Sequence, residues 1–376
     1  MKILSTHFNA QIDTANRLRS YTILKHLSQR GHEIYLVNYF QKSSNNNLPC
    51  IRYFDNDVCE EINYSLPYRI LRNFLKNDFD IVIGNTHYGA LFATPGKLFK
   101  KPVYFDMHGG LVEECVLDPS KGFRRINYFT NLLIKKAINH GVLYLSNKIV
   151  CVSKTMMDYL VLQGIPQEKL LYLTNGVDLD FFSSQNINKT ESISEQLQMG
   201  NAFIFGYIGA FQKYQGVDYL IEAAQNYHRK DVKFLFVGSK PQGLSASDNM
   251  IFIPKQPRNC LPDYYSLCDV LVLPRPLNPA TNIAAPTKFA EYCAMGKPIL
   301  STRVGDPANL MMQYNNGYIM DNLRSESFID AFETIRNTDA RELRTMGLNS
   351  RKLAEQEFNW DKNIQSLAIS IEKNKQ

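Results

Sequence analysis

The chain has 376 residues, 44% of them hydrophobic and 21% charged, and a formal net charge of +6. The length exceeds what one hydrophobic core usually holds, so we expect two domains, and the composition is that of a globular protein rather than a disordered one. No apolar run reaches the roughly 18 residues of a membrane span, and residues 1–4 are too short for a secretory signal, which together favour a cytoplasmic protein.

Short apolar runs alternate with helical stretches in the first half of the chain. Apolar residues recur every three positions from Ala15 to Leu27, which predicts a helix that ends at Gly31. Alternation of strand, helix and strand builds a parallel sheet with helices on both faces. The strands predicted for this half are residues 2–5, 33–38, 80–84, 102–107 and 148–153.

The second half repeats this pattern. Its predicted strands are residues 203–209, 232–238, 269–273 and 298–302. Between the halves, residues 183–200 are polar and aperiodic, and near the end a spacing of three and four from Trp360 to Ile371 predicts a last helix. We therefore divide the chain into an N-terminal domain (1–178), a linker or insertion (179–200), a second domain (201–357) and a C-terminal helix (358–376).

The turn after the first strand argues against an oxidoreductase. Residues 5–11 contain no Gly-x-Gly-x-x-Gly. Without those glycines the backbone cannot approach a pyrophosphate in the way that dinucleotide-binding proteins do. We therefore expect this protein, with its doubly wound sheets, to have a function other than that of an oxidoreductase.

Basic residues are concentrated in the first half of the chain. Residues 1–190 hold 22 Lys and Arg against 16 Asp and Glu, whereas residues 191–376 hold 20 of each kind. Within the first half, residues 119–157 contain no acid and alternate basic with apolar residues. The basic members are Lys121, Arg124, Arg125, Lys135, Lys136, Lys148 and Lys154.

A basic amphipathic stretch of this kind favours docking on an anionic membrane surface, at roughly 1 kcal/mol for each well-placed charge. A packed helix whose solvated face is basic is the alternative. We expect no nucleic-acid partner.

The segment 286–299 is typical of a short helix at an anion site. Pro286 and Thr287 suit the start of a helix, and Gly296 suits its end. The free N–H groups and the positive dipole end at such a start suit a diphosphate. Glu291 lies four residues after Thr287, hence on the same face, where its carboxylate could accept two hydrogen bonds from a ribose diol. Taken alone, an ordinary helix has the same pattern.

Several motifs resemble those of retaining GT-B glycosyltransferases of the family 4 type. The signature Pro-x-Lys-x-x-Glu-Tyr-x-Ala-x-Gly-Lys-Pro stands at residues 286–298. Further segments that resemble the family, in the family's order, are residues 14–17, 30–34, 175–178, 206–211, 216–223, 236–238 and 268–274. The resemblance covers nearly the whole chain, and it implies a GT-B fold, in which two Rossmann-like doubly wound domains face a central cleft.

The resemblance also implies roles for individual residues. Glu291 would bind the ribose of a nucleotide-sugar donor, and the loop before it, with Asn282 and Thr287, would contact the diphosphate and the sugar. His108 matches the histidine that the family places beside the donor sugar. Gly209, at the end of a predicted strand, belongs to the first strand of the donor domain.

Three positions depart from the family's pattern. Ile283 stands where the family has a glutamate that meets the transferred sugar. Ala210 and Gln215 stand where it usually has an arginine and a lysine that neutralise the leaving diphosphate. Stabilisation of developing charge is usually a large part of catalysis, so other cations must replace these two. The candidates are Lys213, Lys288 and Arg275.

We expect no metal or other cofactor besides the nucleotide-sugar co-substrate. Asp-x-Asp occurs at residues 55–57 and 178–180, but so short a motif is frequent by chance. The seven cysteines are scattered and never spaced Cys-x-x-Cys, which argues against a zinc site or a disulfide framework.

These observations predict a metal-independent retaining transferase that is cytoplasmic or peripheral on the inner face of a membrane. Its donor would be a nucleotide-sugar, most simply a UDP-sugar, and its acceptor a glycan or glycolipid in surface-polysaccharide synthesis. The first domain would bind the acceptor and the second the donor. Two alternatives are a non-catalytic partner of a true transferase and a GT-B nucleotide-sugar epimerase.

Overall fold

The computed structural model describes residues 1–7, 15–38, 51–53, 78–117, 127–187, 189–238, 243–244 and 247–373. The chain divides into two compact units. The first comprises Met1–Thr174 and Trp360–Gln376, and the second comprises Asn175–Asn359.

The first unit is built on a seven-stranded, all-parallel sheet with the strand order β3-β2-β1-β4-β5-β6-β7. Its strands are β1 (Lys2–His7), β2 (Glu33–Asn38), β3 (Ile51–Tyr53), β4 (Ile81–Asn85), β5 (Val103–Met107), β6 (Lys148–Cys151) and β7 (Leu170–Tyr172). All the residues of β4 and β5 are buried, as in a parallel sheet that has helices on both faces.

Helices follow most of these strands. They are α1 (Ala15–Gln29), α2 (Thr86–Ala93), α3 (Leu111–Leu117), α4 (Tyr128–Leu145) and α5 (Lys154–Leu162). Ser153 and Asn127 cap α5 and α4 with their side-chain oxygens, each of which accepts a hydrogen bond from a backbone N–H three residues on.

The last helix of the chain, α14 (Trp360–Glu372, numbered after the helices of the second unit), also packs in the first unit. Its apolar face, with Ile364, Leu367 and Ile371 fully or almost fully buried, joins the core that contains Leu24 of α1. The Tyr104 hydroxyl on β5 donates to the carbonyl oxygen of Ser370 at 2.9 Å. The spacing of apolar residues that predicts this helix is therefore the spacing of its buried face.

The second unit has a six-stranded parallel sheet with the order β10-β9-β8-β11-β12-β13. Its strands are β8 (Phe203–Ile208), β9 (Val232–Gly238), β10 (Met250–Pro254), β11 (Val270–Leu273), β12 (Ile299–Thr302) and β13 (Gly317–Met320). Its helices are α6 (Thr190–Gln196), α7 (Val217–Gln225), α8 (Leu261–Ser266), α9 (Pro279–Asn282), α10 (Thr287–Ala294), α11 (Gly305–Tyr314), α12 (Ser325–Arg336) and α13 (Ala340–Glu357).

Residues 179–200, interpreted from the sequence as a linker or insertion, lie within the second unit. Phe182 is fully buried and Met199 is 3% exposed, and both belong to the core on one face of the six-stranded sheet. The polar composition of the segment conceals these few apolar anchors, which attach it to the unit.

Both sheets have a point at which the chain changes the direction in which it adds strands. In the first unit this point lies between β1 and β4, and in the second it lies between β8 and β11. The connections that leave two such neighbouring strands go to opposite faces, which opens a crevice at their carboxyl ends where α/β proteins bind ligands. A site is therefore expected beside His7 and Asn85 in the first unit, and beside Gly209 and Pro274 in the second.

Candidate functional site

The crevice of the second unit contains the Lys288 ammonium group. Lys288 lies in the first turn of α10, and its Nζ donates to the Tyr207 hydroxyl at 2.8 Å and to Gln215 Oε1 at 2.9 Å. The same nitrogen lies 4.5 Å from the centre of the Tyr207 ring, within the range of a cation–π contact. Gly209, which follows β8, has a φ of +152°, and a Cβ there would lie 2.7 Å from Lys288 Nζ. Glycine at 209 therefore leaves room for the ammonium group.

Arg275 is a second cation at this edge of the sheet. It follows β11 and is only 5% exposed, and its Nε has no hydrogen-bond partner. Burial lowers the pKa of Arg275 to about 10, so the guanidinium still carries its charge near neutral pH. Thr302 at the end of β12 donates to the Arg275 carbonyl oxygen at 2.5 Å, which fixes this backbone against the neighbouring strand.

Neither cation has an acidic partner in contact within the described part of the chain. Among the described residues, no carboxylate oxygen lies within 4.0 Å of a side-chain nitrogen of Lys288 or Arg275. Burial, followed by the charge of Arg275, lowers the pKa of Lys288 to about 7. Two cations withdrawn from water without a counter-charge are costly unless an anion binds to them. The arrangement is suited to a polyanionic ligand such as a diphosphate.

Glu291 lies one turn further along α10, with 9% of its surface exposed. Its Oε2 accepts a hydrogen bond from the Tyr265 hydroxyl at 2.7 Å, and its Oε1 lies 3.5 Å from Arg258 Nη1. A carboxylate has about four lone-pair sites, so these two partners orient the group and leave acceptor capacity for a ligand. Burial raises the pKa of Glu291, although Arg258 and Tyr265 oppose that effect.

The other residues predicted for the donor site have different surroundings. Thr287 is the first residue of α10, whose leading N–H groups lack carbonyl partners within the helix. Asn282 Oδ1 accepts from the Gly305 backbone N–H at 2.9 Å and so anchors the start of α11. Lys213 is exposed, at the start of the short turn that ends at Gln215. The structure thus brings Gly209, Lys288 and Arg275 together, and it gives Asn282 a supporting contact and Lys213 a solvent-exposed position.

The three residues that depart from the family pattern lie in different surroundings. Ile283 is 1% exposed, so the position that usually holds a glutamate is apolar and buried here. Ala210 accepts a hydrogen bond from the Tyr207 hydroxyl through its carbonyl oxygen at 2.7 Å. Gln215, in place of a lysine, accepts from Lys288. Lys288 and Arg275 are therefore the cations that the fold places at this edge.

In the first unit, His108 follows β5 and is held by a buried ion pair. Its Nε2 lies 2.6 Å from Asp106 Oδ2, and the Asp106 carboxylate is bound in turn by Arg19 of α1, with Nη2 2.8 Å from Oδ1. Arg19 and Asp106 are each 2% exposed. Nδ1 of His108 is buried, and no described residue forms a hydrogen bond with it.

Further polar groups lie at the carboxyl ends of β1 and β4. Asn85 Nδ2 donates to Ser5 Oγ at 2.8 Å and lies 2.9 Å from His7 Nε2. Thr86, the next residue, has a φ of +61°. This conformation is strained for a β-branched side chain, and such strain is concentrated at functional sites. The first unit therefore also has a polar, preorganised crevice.

Comparison with known proteins identifies the fold and the family. Residues 19–181 match the family described as Glycosyltransferase Family 4, and residues 202–338 match the family described as Glycosyl transferases group 1. Together these matches include most of both units. The chain belongs to the group 1 and family 4 glycosyltransferases. The resemblance predicted from the motifs is thereby confirmed.

Two relatives of this glycosyltransferase are named for polysaccharide or teichuronic acid biosynthesis. It is 23% identical over 310 residues to the capsular polysaccharide biosynthesis glycosyltransferase CapM of Staphylococcus aureus, which covers 78% of this chain and 76% of CapM. It is 27% identical over 161 residues to the putative teichuronic acid biosynthesis glycosyltransferase TuaH of Bacillus subtilis, which covers 41% of this chain and 39% of TuaH.

Solved structures confirm the predicted GT-B class. The crystal structure of Anabaena Alr3699/HepE in complex with UDP matches 99% of this chain and 100% of that chain, with a TM-score of 0.73 and 16% identity. WaaG, a glycosyltransferase of lipopolysaccharide biosynthesis, matches 99% of each chain with a TM-score of 0.69 and 16% identity. At such identities the likeness shows the fold alone.

Sequence reasoning missed the side chains that hold the candidate groups. Tyr207 binds Lys288, Tyr265 and Arg258 orient Glu291, and Arg19 and Asp106 hold His108. Only Asp106 gives a signal in the sequence, because it is an acid within the apolar run of β5. The others are recognisable only once distant segments meet.

The basic stretch 119–157 differs in part from its prediction. Lys121, Arg124 and Arg125 lie outside the described residues. Lys135 is 4% exposed, so it does not belong to a solvated basic face, as the membrane interpretation required. On α4 the exposed positions recur at helical spacing and combine apolar and basic side chains: Phe129, Leu133, Lys136, His140 and Tyr144.

The structure places no metal-binding cluster or membrane span within the residues that it describes. Throughout those ranges, no three His, Cys, Asp or Glu side chains form a group that could hold a metal ion. Asp178 Oδ1 instead accepts from the Phe181 backbone N–H at 2.9 Å, as a turn cap, and residues 55–57 lie outside the described residues. Over the same ranges, no helix is long and apolar enough to cross a bilayer.

Proposed function

We propose that this glycosyltransferase moves a hexosyl group, with retention of configuration, from a UDP-sugar to a glycan or glycolipid acceptor during surface-polysaccharide synthesis. The second unit would bind the donor and the first the acceptor. The observation that carries the proposal is a pair of cations at the switch point of the second sheet, partly buried Lys288 and buried Arg275, which no carboxylate of the described residues contacts.

This pair would act on the leaving group. Breaking the bond between the sugar and the nucleoside diphosphate leaves negative charge on the diphosphate. Lys288 and Arg275, in surroundings of low dielectric constant, would stabilise that charge more strongly than water could. The free N–H groups at the start of α10 would add partial positive charge at the same place.

Glu291 would bind the nucleoside end of the donor. A ribose diol presents two hydroxyl donors, and a carboxylate held by Tyr265 and Arg258 has acceptor sites for both. Lys288 and Glu291 lie three residues apart on α10, so one helix would hold the diphosphate and the ribose in a fixed relation.

The choice of UDP and of a surface polymer comes from the relatives. The Anabaena HepE structures hold UDP and UDP-glucose. CapM and TuaH are named for capsular polysaccharide biosynthesis and teichuronic acid biosynthesis. The choice of UDP and of a polymer acceptor for this chain rests on these names. The cation pair itself suits any nucleoside diphosphate.

A panel of UDP-, GDP- and ADP-sugars tests the proposal against its alternatives. A transferase releases free nucleotide slowly even without its acceptor, because water takes the acceptor's place. Release from one class of donor is the expected result. Binding without release would favour a non-catalytic partner, and a changed sugar that stays attached to its nucleotide would favour an epimerase.

Turnover should survive excess EDTA. The charge that a divalent cation gives to a diphosphate in metal-dependent transferases would come here from Lys288 and Arg275. The measurement is initial rate with and without EDTA, followed by addition of Mg²⁺ or Mn²⁺. A complete loss that either metal restores would contradict the claim and return attention to Asp178 and to residues 55–57.

We propose further that the exposed face of α4 docks on an anionic membrane. Phe129, Leu133 and Tyr144 are 75%, 67% and 72% exposed, and Lys136 lies on the same face. Apolar side chains that enter the interface, with a cation directed at lipid phosphates, are the features of an interfacial helix. The net charge of +6 in residues 1–190 suits the same lipid surface.

Vesicle sedimentation measures this docking. The protein should bind phosphatidylglycerol vesicles at low salt and leave them as salt rises. The double variant Phe129→Ser, Leu133→Ser should bind more weakly by about a hundredfold or more, because burying each such side chain contributes about 1.5–3 kcal/mol and each 1.4 kcal/mol is about tenfold in affinity. Leu348→Ser is the matched control, since Leu348 is also 67% exposed but lies in the second unit. Equal binding to neutral and to phosphatidylglycerol vesicles would contradict the electrostatic part of this proposal.

A further inference from the structure

Asp106 lies between two side chains at the carboxyl end of β5. On one side Arg19 binds both its oxygens, with Nε 3.1 Å from Oδ1 and 3.2 Å from Oδ2, and Nη2 2.8 Å from Oδ1. On the other side His108 Nε2 lies 2.6 Å from Oδ2. All three side chains are nearly inaccessible, at 2%, 2% and 7% exposed for Asp106, Arg19 and His108.

The ion pair determines the charge state of Asp106. Burial alone would raise the pKa of this carboxyl, but the charges of Arg19 and His108 outweigh burial and hold the pKa well below its usual range. Asp106 is therefore an anion at any physiological pH, and an anion can only accept hydrogen bonds. The proton of the short contact must then be on His108 Nε2.

The neighbouring titratable groups do not disturb this arrangement. His87 on α2 is buried, which lowers its pKa to about 4, and Cys151 on β6 is buried, which raises the pKa of its thiol to about 12. Both are neutral near pH 7, so neither adds a charge to the group that Arg19, Asp106 and His108 form.

We infer that Asp106, clamped by Arg19, is a positioning residue that fixes the His108 ring with its Nε2–H on the carboxylate and leaves Nδ1 for a ligand. Nδ1 is buried and has no partner within the part of the chain that the structure describes. Buried polar atoms are nearly always hydrogen-bonded, so an orphan in a crevice is available for a ligand. A hydroxyl of a bound sugar suits this nitrogen, because a hydroxyl can both donate and accept, a step that depends on the function proposed above.

The tautomer can be read directly in the free protein. Long-range ¹H–¹⁵N spectra of histidine-labelled full chain distinguish a protonated from an unprotonated ring nitrogen, and His108→Ala assigns the signal. The wild type should show His108 with Nε2 protonated. A ring with a bare Nε2 and its proton on Nδ1 would overturn the inference. This measurement needs no turnover, so it stands or fails independently of the proposed function.

Asp106→Asn should reverse the tautomer. Arg19 offers only donors, so it will hold the single oxygen of the asparagine, and the amide NH₂ will then face His108 Nε2. Nε2 must then accept, the ring proton moves to Nδ1, and the group that the ring offers to the sugar changes. We expect kcat to fall about tenfold or more with UDP affinity unchanged; an unchanged tautomer in this variant contradicts the inference.

A double-mutant cycle separates positioning from stability. If Asp106 acts through His108, adding Asp106→Asn to His108→Ala should cause no further loss of kcat. Independent, multiplying losses would show that Asp106 serves the fold instead. Arg19→Lys keeps the charge but loses the paired geometry, so it should give a smaller loss than Asp106→Asn and keep the Nε2–H tautomer.

Discussion

Lys288→Met is expected to weaken UDP binding by about a hundredfold or more. Truncating one partner of a buried, hydrogen-bonded charge pair costs about 2–5 kcal/mol, and each 1.4 kcal/mol is about tenfold in affinity. Methionine is one atom shorter than lysine and as flexible, and it removes the charge and the donors of the side chain. Calorimetric titration with UDP gives the change.

The pH dependence of the wild type should report the same group. In the free protein the pKa of Lys288 is lowered to about 7, and a bound diphosphate favours the charged form. Above pH 7 each binding event must therefore take up a proton, and UDP affinity should fall by up to about tenfold for each pH unit. Lys288→Arg, which stays charged, should lose this dependence.

Lys288→Met should make the folded protein more stable while it weakens UDP binding. Lys288 is charged in the folded protein only below about pH 7, where burial makes that charge unfavourable. Lys288→Met should therefore raise the melting temperature below pH 7, with a gain that declines as pH rises. Lys297→Met is the matched control. Burial also lowers the pKa of Lys297. This lysine follows the C-terminal end of α10, where its Nζ donates to the Ser266 carbonyl oxygen at 2.9 Å. Its loss should leave UDP affinity unchanged, and equal weakening by both variants would contradict the assignment.

Glu291→Gln should weaken UDP binding about ten- to a hundredfold and leave kcat nearly unchanged. Charge-assisted hydrogen bonds to a ribose diol are worth about 1.5–3 kcal/mol each, and glutamine keeps the shape but not the charge. The ribose does not change during transfer, so the loss applies equally to the ground state and the transition state. Calorimetry with UDP and steady-state rates measure the two effects.

The chain supplies a matched control for this glutamate. Glu333 also accepts from a tyrosine hydroxyl, that of Tyr227 at 2.8 Å, and from an arginine, with Arg229 Nη1 at 2.9 Å. Glu333→Gln disturbs the same kind of trio away from the switch point and should leave UDP affinity unchanged. If Glu291→Gln bound UDP as tightly as the wild type, the placement of the ribose on α10 would be abandoned.

The sequence predicts the inner strands of the two sheets better than the outer strands. Buried strands such as β11 are continuous apolar runs, and α10 is bounded by Pro286 and Gly296. The outer strands β3, β7, β10 and β13 went unpredicted, because they have three to five residues each and consist mostly of half-buried positions where the structure describes their side chains. Short edges of this kind form only against a completed neighbour.

The site was predictable only in part for a related reason. A helix start and a carboxylate on the same face are local features, so Thr287 and Glu291 could be recognised in one segment. The groups that orient the site come from far along the chain: Tyr207 is 81 residues from Lys288, and Arg19 is 87 from Asp106. Lys135 gives the converse case, since nothing local shows that this lysine is buried.

A crystal structure of the chain with UDP tests the central claim most directly. The account predicts diphosphate oxygens at about 3 Å from Lys288 Nζ and from the Arg275 guanidinium, with the ribose hydroxyls on Glu291. Nucleotide bound elsewhere, or a diphosphate that leaves Lys288 and Arg275 without an anion, would contradict it.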